Sequence, residues 1–391
     1  MKTGHKDGML SVSVYSFFVG FLTVIVRVLS SHFSGFKDDF FTNVLLKLLS
    51  FLRIYERKIP KGLPHVEIIE NASERCFRIL GLNPGNHTLH GTNTYLVGEG
   101  EVKILIDSGE SSTAKEWVEM MLSQVFLGTG TKRLSHILLT HGHFDHTGGV
   151  TLLLKEMEIR GMLPLPEIFK RRITPLGTDP AVITVPESGD FPIYGFECHH
   201  IKDGQEFVVQ NDNDGKTSTL RSMYTPGHSD DSVCFALLED FALFSGDSVL
   251  GCGTSIFDDL SKYMQSLEKM RNLMICCDCT DKNSKKSSSI ALHTIYPGHG
   301  PVVRNSGLEK IDDYLNHRGQ REETIMQVFA DNRGQRYFTS WELVDLVYVS
   351  PRLNFVIKLA AQGNLNHHLL KLKSEGRVRC QFPDLWAICS E

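Results

Sequence analysis

Residues 9–26 carry no charge, with Lys2 and Lys6 before them and Arg27 after. That length is near the lower limit for a bilayer span, but Ser11, Ser13, Ser16 and Thr23 dilute it. Within residues 1–36 the one acid is Asp7. Such a segment reads as an anchor, a cleaved secretory signal or an organellar presequence, outside any folded core. Phe41, Val44, Leu45, Leu48, Leu49 and Leu52 then recur at helical spacing between Asp38/Asp39 and Arg57/Lys58. This pattern predicts an amphipathic linker helix whose end charges suit its dipole.

From about residue 64 the pattern becomes short apolar runs closed by turn residues. Residues 77–80 end before Asn83-Pro84-Gly85, 94–97 at Gly98, and 102–106 at Asp107-Ser108-Gly109. These runs predict strands. A helix over 114–126 and a strand over 134–139 follow, and the strand opens into a histidine-rich turn at Thr140. Near the end, helices are predicted over 311–329, 339–349 and 365–375, broken at Asn332-Arg333-Gly334 and Ser350-Pro351. Thr339-x-x-Glu342 has capping-box spacing, and Leu365, Leu369 and Leu372 form a stripe that closes at Gly376 before 377–381. Three helices and a short hairpin resemble a small winged helix. The expected organisation is an N-terminal segment with linker helix (1–62), a catalytic domain (63–305) and a C-terminal module (306–391).

Composition narrows the partners only slightly. The 391 residues are 41% hydrophobic with a formal net charge of −5, so the chain can bury a core but has no overall basic field. A nucleic acid would need a local patch. Arg352, Lys358, Lys371, Lys373, Arg377 and Arg379 offer one against the single acid Glu375, and an ordinary solvated helix face would look the same. Lys371, Lys373, Arg377 and Arg379, with Asn93 in the body, are the candidate substrate contacts. His367 and His368 are expected at the surface rather than as ligands. Nine cysteines, an odd number, do not suggest a disulfide framework and favour a reducing compartment. Cys276 and Cys279 have C-x-x-C spacing, but no second pair follows at zinc-ribbon distance.

The chemistry is concentrated in His141-Gly142-His143-Phe144-Asp145-His146. Three imidazoles and a carboxylate in six residues exceed what a core strand or a solvated loop needs. Imidazole binds zinc well, and an added carboxylate can hold a second divalent ion nearby. Thr225-Pro226-Gly227-His228, Ser245-Gly246-Asp247 and Tyr296-Pro297-Gly298-His299-Gly300 each place a ligand-type residue on a turn after a strand-like run. Singly these are ordinary turns; with the histidine motif they make a set.

That order of motifs resembles the metallo-β-lactamase superfamily, and all seven positions match. The resemblance implies an α/β fold, an αββα sandwich, carrying here the winged-helix-like α+β module. It also implies two Zn2+ ions, one on His141, His143 and His228, the other on Asp145, His146 and His299, with Asp247 bridging. Two such ions can share a hydroxide nucleophile, which Asp145 would orient as the catalytic residue. Within the superfamily, Leu80-Gly81-x-Asn83-Pro84-Gly85, the run from Leu89 to Gly98, and Asp107-x-Gly109-Glu110 resemble a narrower group of animal mitochondrial zinc endoribonucleases. That likeness covers roughly residues 65–380 and implies single-stranded RNA as substrate and a mitochondrial location, with membrane association through residues 9–26 as the alternative. The loops 211–218 and 276–289 look longer than in that group, and Gly142 and Phe144 replace bulky and basic residues. Thr140-His141-x-His143-x-Asp145-His146-x-Gly148-Gly149 fits hydroxyacylglutathione-hydrolase-like thioesterases equally well. A catalytically silent, metal-stabilised binding module is the remaining reading, and a complete ligand set with water access argues against it.

Overall fold

The computed structural model describes residues 58–172, 197–275, 293–332, 337–348, 355–381 and 384–389. The expectations for residues 9–26, the helix over 41–52, the Cys276–Cys279 pair and the loop 276–289 lie outside these. No helix among the described residues is long and apolar enough to cross a membrane. Lys58–Asp312 forms one compact unit, and the chain from Asp313 onward belongs to another.

The first unit opens with seven strands, β1 (Ile69–Ser73), β2 (Cys76–Leu80), β3 (Asn93–Val97), β4 (Val102–Ile106), β5 (Arg133–Leu139), β6 (Glu167–Lys170) and β7 (Cys198–His200), lying side by side in sequence order. Pairing is antiparallel from β1 to β4 and parallel from β4 to β7. The change follows from the connections, because a parallel neighbour needs a crossover. Helix α1 (Ala114–Met120), prolonged by a π turn at Met121–Val125 and by Phe126–Gly128, joins β4 to β5. A single turn α2 (Phe144–Thr147) and helix α3 (Val150–Ile159) follow β5.

A second sheet contains β8 (Glu206–Gln210), β9 (Thr217–Tyr224), β10 (Val233–Leu237), β11 (Ala242–Gly246) and β12 (Thr294–Pro297), in the order β12-β11-β10-β9-β8. The apparently long loop after β8 is an ordinary hairpin turn, with Asn211 N–H donating to Lys216 O at 2.8 Å. Only β11 and β12 are parallel, and α4 (Leu260–Ile275) lies between them in sequence.

Strands β3 and β4 and the second half of β5 are buried almost throughout because both faces are covered, and Asn93, Thr94 and Lys103 are buried with the apolar residues. Leu96, Leu105, Ile137 and Leu139 turn toward Trp117, Val118, Val150 and Leu153 of the helices. Tyr95, Val97, Ile104, Ile106 and Leu138 turn the other way and meet Phe207, Leu220, Phe235, Phe244 and Tyr296 of the second sheet. The Tyr95 and Phe244 rings cross edge-on with centroids 5.0 Å apart. Cys234, next to Phe235 and so on the opposite face of β10, lies 3.7 Å from Met270 of α4. Helices, sheet, sheet and helix therefore stack as an αββα sandwich.

In the second unit the part of α5 (Gly307–Asp331) from Asp313 onward, α6 (Ser340–Val347), α7 (Phe355–Ser374) and the hairpin β13 (Val378–Gln381) and β14 (Leu385–Ile388) enclose Ile325, Phe329, Leu343, Val344, Leu365, Leu369, Leu372 and Trp386. The capping box forms at α6. Glu342 N–H donates to Thr339 Oγ1 at 3.2 Å, and Thr339 N–H to Glu342 Oε2 at 2.8 Å. Helix α7 begins ten residues before the predicted start, since residues 355–361 are almost continuously apolar and show no stripe. His368, expected at the surface, is fully buried, with Nδ1 3.5 Å from Glu322 Oε1. Its position between Leu365 and Leu369 puts it near the apolar side of α7, which helical spacing alone did not separate from the edge.

Candidate metal centre

Strand ends and glycine turns bring the predicted residues together. Strand β5 delivers Thr140, His141 and His143, and the single turn α2 supplies Asp145 and His146. Beside it, Asp107 directly follows β4 and is held in the left-handed region at φ 58°. Its carboxylate accepts from Thr140 N–H at 2.9 Å and Thr140 Oγ1–H at 2.8 Å, clasping the start of the histidine turn. Gly227 sits at φ 133°, and a Cβ there would lie 2.3 Å from Tyr263 Cα. The Pro226-Gly227 turn can therefore lie flat on α4 and aim His228 inward. At Gly298 a Cβ would fall 2.2 Å from Asp247 Oδ1 and 3.0 Å from His146 Cε1.

Ligand-type atoms of His141, His143, His228 and Asp247 gather within 4.8 Å of one another, and those of Asp145, His146 and His299 do the same. Each group could hold a metal ion. His141 Nε2 is 2.9 Å from His143 Nδ1, and His228 Nε2 is 3.3 and 3.1 Å from those two atoms. Two nitrogens about 2.0–2.1 Å from one tetrahedral ion are about 3.3 Å apart, so the spacing suits a shared cation. Asp247 Oδ2 lies 3.6 Å from His228 Nε2 and 3.2 Å from His299 Nε2, spanning the two groups. Asp247 Oδ1 is buried without a hydrogen-bond partner. An orphaned carboxylate oxygen is costly in a protein interior, and a cation would satisfy it.

The remote ring nitrogens are tied back. His146 Nδ1 meets Asp107 Oδ2 at 2.7 Å, His228 Nδ1 meets Ile256 O at 2.9 Å, and His141 Nδ1 meets Thr140 Oγ1 at 3.0 Å. With protons on those nitrogens, Nε2 is left as the donor atom toward the centre. Thr92 Oγ1–H donates to Asp145 Oδ2 at 3.0 Å and is itself held by Asn83 Nδ2–H at 3.1 Å.

The metallo-beta-lactamase superfamily model matches residues 87–275, and that of the beta-lactamase associated winged helix domain matches residues 339–382. A beta-lactamase-like protein 2 homolog of Caenorhabditis elegans is 36% identical over 81% of this chain and 90% of its own length. The chain belongs to the metallo-β-lactamase superfamily. The narrower likeness in its motifs is to the group that bears this relative's name. An atrochrysone carboxyl ACP thioesterase of Pseudocercospora fijiensis (strain CIRAD86) is 33% identical over 82% of this chain and 80% of its own. A beta-lactamase domain protein from Burkholderia ambifaria shares the fold, with a TM-score of 0.58 and 17% identity over 84% of this chain and 96% of that one.

In this member of the superfamily the site is electrostatically divided. Burial, reinforced by neighbouring imidazoles, holds His141 well below the usual histidine range and His143 down to about 4. Burial opposes the charge on His146 and His299 too, but the carboxylates of Asp145 and Asp247 outweigh it. His146 is raised well above its ordinary value and His299 to about 9. Asp145 and Asp247 stay well below the carboxylate range despite burial, because those imidazoles face them. His87 also lies close to Asp145 and His299 and is pushed down to about 4, chiefly by burial.

Other expected contacts turn out differently. Asn93 is fully buried; its Nδ2 donates to Pro297 O and Gly300 O at 2.8 Å, and its Oδ1 accepts from Arg78 at 3.0 Å. With these atoms committed, it braces the His299 loop instead of facing a substrate. Lys371 Nζ is 2.9 Å from Glu322 and 2.6 Å from Glu375, and Arg377 lies 3.8 and 3.6 Å from the same two acids, so their charge is partly offset. Lys373 and Arg379 are exposed. Asp107, Thr140, Thr92 and Asn83 were missed as supports of the site. The signal available for Asp107 was a carboxylate at a strand end before Ser-Gly.

Proposed function

We propose that this superfamily hydrolase cleaves single-stranded RNA using two zinc ions. His141, His143 and His228 would hold one, Asp145, His146 and His299 the other, and Asp247 both. The observation that carries the reading is the buried, unsatisfied Oδ1 of Asp247 at the junction of the two groups. When bound, the ions would supply a nucleophile from water near neutral pH and stabilise charge on the phosphate oxygens. The protein's part is positioning. Asp107 and Thr140 hold the imidazoles in the required tautomer, and Thr92 fixes Asp145 to orient the attacking water. The motif likeness to mitochondrial endoribonucleases supports RNA over other phosphodiesters and a mitochondrial location. Exposed Lys373 and Arg379 are proposed to take backbone phosphates.

Thioester hydrolysis is the second reading, favoured by the 33% identity to a relative named as an ACP thioesterase. The test is to incubate the zinc-loaded full chain with labelled single-stranded RNA and, separately, with S-lactoylglutathione, beside an Asp145→Ala/His146→Ala double variant. RNA cleavage absent from the variant is expected. Thioester turnover with intact RNA refutes the nuclease reading.

A further inference from the structure

The three histidines of one metal group come from two different sheets. His141 and His143 follow β5 of the first, and His228 stands on the turn between β9 and β10 of the second. A metal held by all three depends on how closely those two turns approach. One link between them is backbone: Val233 N–H, at the start of β10, donates to Thr140 O at 2.8 Å. A second is the ion pair of Lys170 and Asp231, whose side chains are 1% and 2% exposed.

Lys170 ends β6 and pairs in register with Leu139, just ahead of the histidine turn. Its Nζ donates to Asp231 Oδ2 and, at 3.1 Å, to Arg171 O. Asp231 belongs to the His228 turn, where its Oδ1 accepts from Ser229 Oγ–H at 2.8 Å. Ser229 O accepts from Gly227 N–H at 3.1 Å, folding the chain tightly around His228. The pair supports the other turn as well. At Gly142, between His141 and His143, a Cβ would lie 3.0 Å from Asp231 Oδ2 and 3.3 Å from Lys170 Nζ. The backbone joining two ligands thus rests on the pair, and glycine lets it come that close. Asp145, His146 and His299 are braced from elsewhere, by Thr92, Asp107 and Gly91 O.

We propose that Lys170 and Asp231 are positioning residues that set the spacing of His141, His143 and His228, and with it the affinity of that metal site alone. This rests on the two-metal reading of the centre and is independent of the substrate it cleaves. Stability is a poor reason for the pair, because apolar side chains of similar volume commonly serve a core as well as a buried ion pair or better. Leu138, Leu139 and Val233 are buried around it in that way. A charged hydrogen bond has a fixed direction and length that apolar packing lacks. Here it fixes the backbone between two ligands against the turn that carries the third.

The test measures zinc binding to the full chain by competition with a fluorescent chelator, fitted for two sites. Lys170→Met/Asp231→Leu removes both charges and leaves no ion buried alone, so the fold should persist with a melting temperature near that of wild type. Losing a support behind metal ligands typically costs about 10–100-fold in affinity; one zinc affinity should fall by that factor while the other stays within about threefold. The weakened site should be the one that His228→Ala abolishes and His299→Ala spares. If the double variant does not fold, Gly142→Ala keeps both charges and presses a methyl group onto the pair, and the same site should weaken about tenfold. Two unchanged affinities in a folded variant, or an equal fall in both, overturn the proposal. A wild type that binds a single zinc refutes the two-metal reading itself, and that result is visible before any variant is compared.

Discussion

Asp107→Asn should weaken zinc at the His146 side of the centre without unfolding the protein. Asp107 is 1% exposed and makes three bonds: Thr140 N–H at 2.9 Å, Thr140 Oγ1–H at 2.8 Å and His146 Nδ1 at 2.7 Å. Asparagine is nearly isosteric and tolerates the left-handed backbone at φ 58°. Its carbonyl oxygen can keep the Thr140 N–H bond, but the charge that orients His146 is lost. Removing a partner of this kind typically costs about 10–100-fold in metal affinity, or about 1.4–2.7 kcal/mol. Competition with a fluorescent zinc chelator, fitted for two sites, should show one affinity reduced by that factor and the other within about threefold. Asp107→Ala should do worse, since it also leaves Thr140 N–H unpaired and strains the backbone by about 1–2 kcal/mol. If both zinc affinities match wild type while only the melting temperature falls, Asp107 is a structural clasp and the orienting role is wrong.

Gly298→Ala forces a methyl group against Asp247 Oδ1, 2.2 Å away in ideal geometry; zinc content should drop and RNA cleavage fall roughly 100-fold, and wild-type turnover would show that the loop has room. Lys103 is buried, its Nζ donating to Gly98 O and Gly100 O at 2.6 and 2.7 Å, and burial lowers its pKa to about 8. An unfolded lysine titrates near 10.5, so the unfolded state binds more protons between about pH 8 and 10.5, and stability rises with pH across that window. Urea denaturation from pH 8 to 10 should show this rise in wild type relative to Lys103→Met, and parallel profiles would refute it. Residues 1–57 fused to a fluorescent protein should direct it to mitochondria; a secretory or plasma-membrane pattern would contradict the presequence reading.

The seven ligand-type residues were legible in the sequence because their spacing is local chemistry: a strand end, a Pro-Gly turn and a Gly-Asp turn each announce themselves within a few residues. The strands were equally legible, since runs such as 102–106 and 134–139 are mostly apolar and followed by turn residues, with Lys103, Ser135 and His136 as their only polar members. Helix α7 was read short because its first half is apolar without a stripe. Asn93 was read as a substrate contact because it lies in a motif, yet its amide serves backbone carbonyls more than two hundred residues away.

By itself the amino-acid order determined the superfamily, the ligand inventory and the alternation that sends Leu105 to one layer and Ile106 to the other. Only the tertiary structure decided which charges act on which. Asp107 reaches His146 across 39 positions, Glu322 offsets Lys371 across 49, and Asp231 reaches Lys170 across 61. Burial side and turn chemistry are short-range properties that a chain displays along its length. Electrostatic partnership depends on distances set only when strands align and helices dock, which is why a basic residue in the tail and one beside the metal centre looked alike until the fold brought their neighbours in.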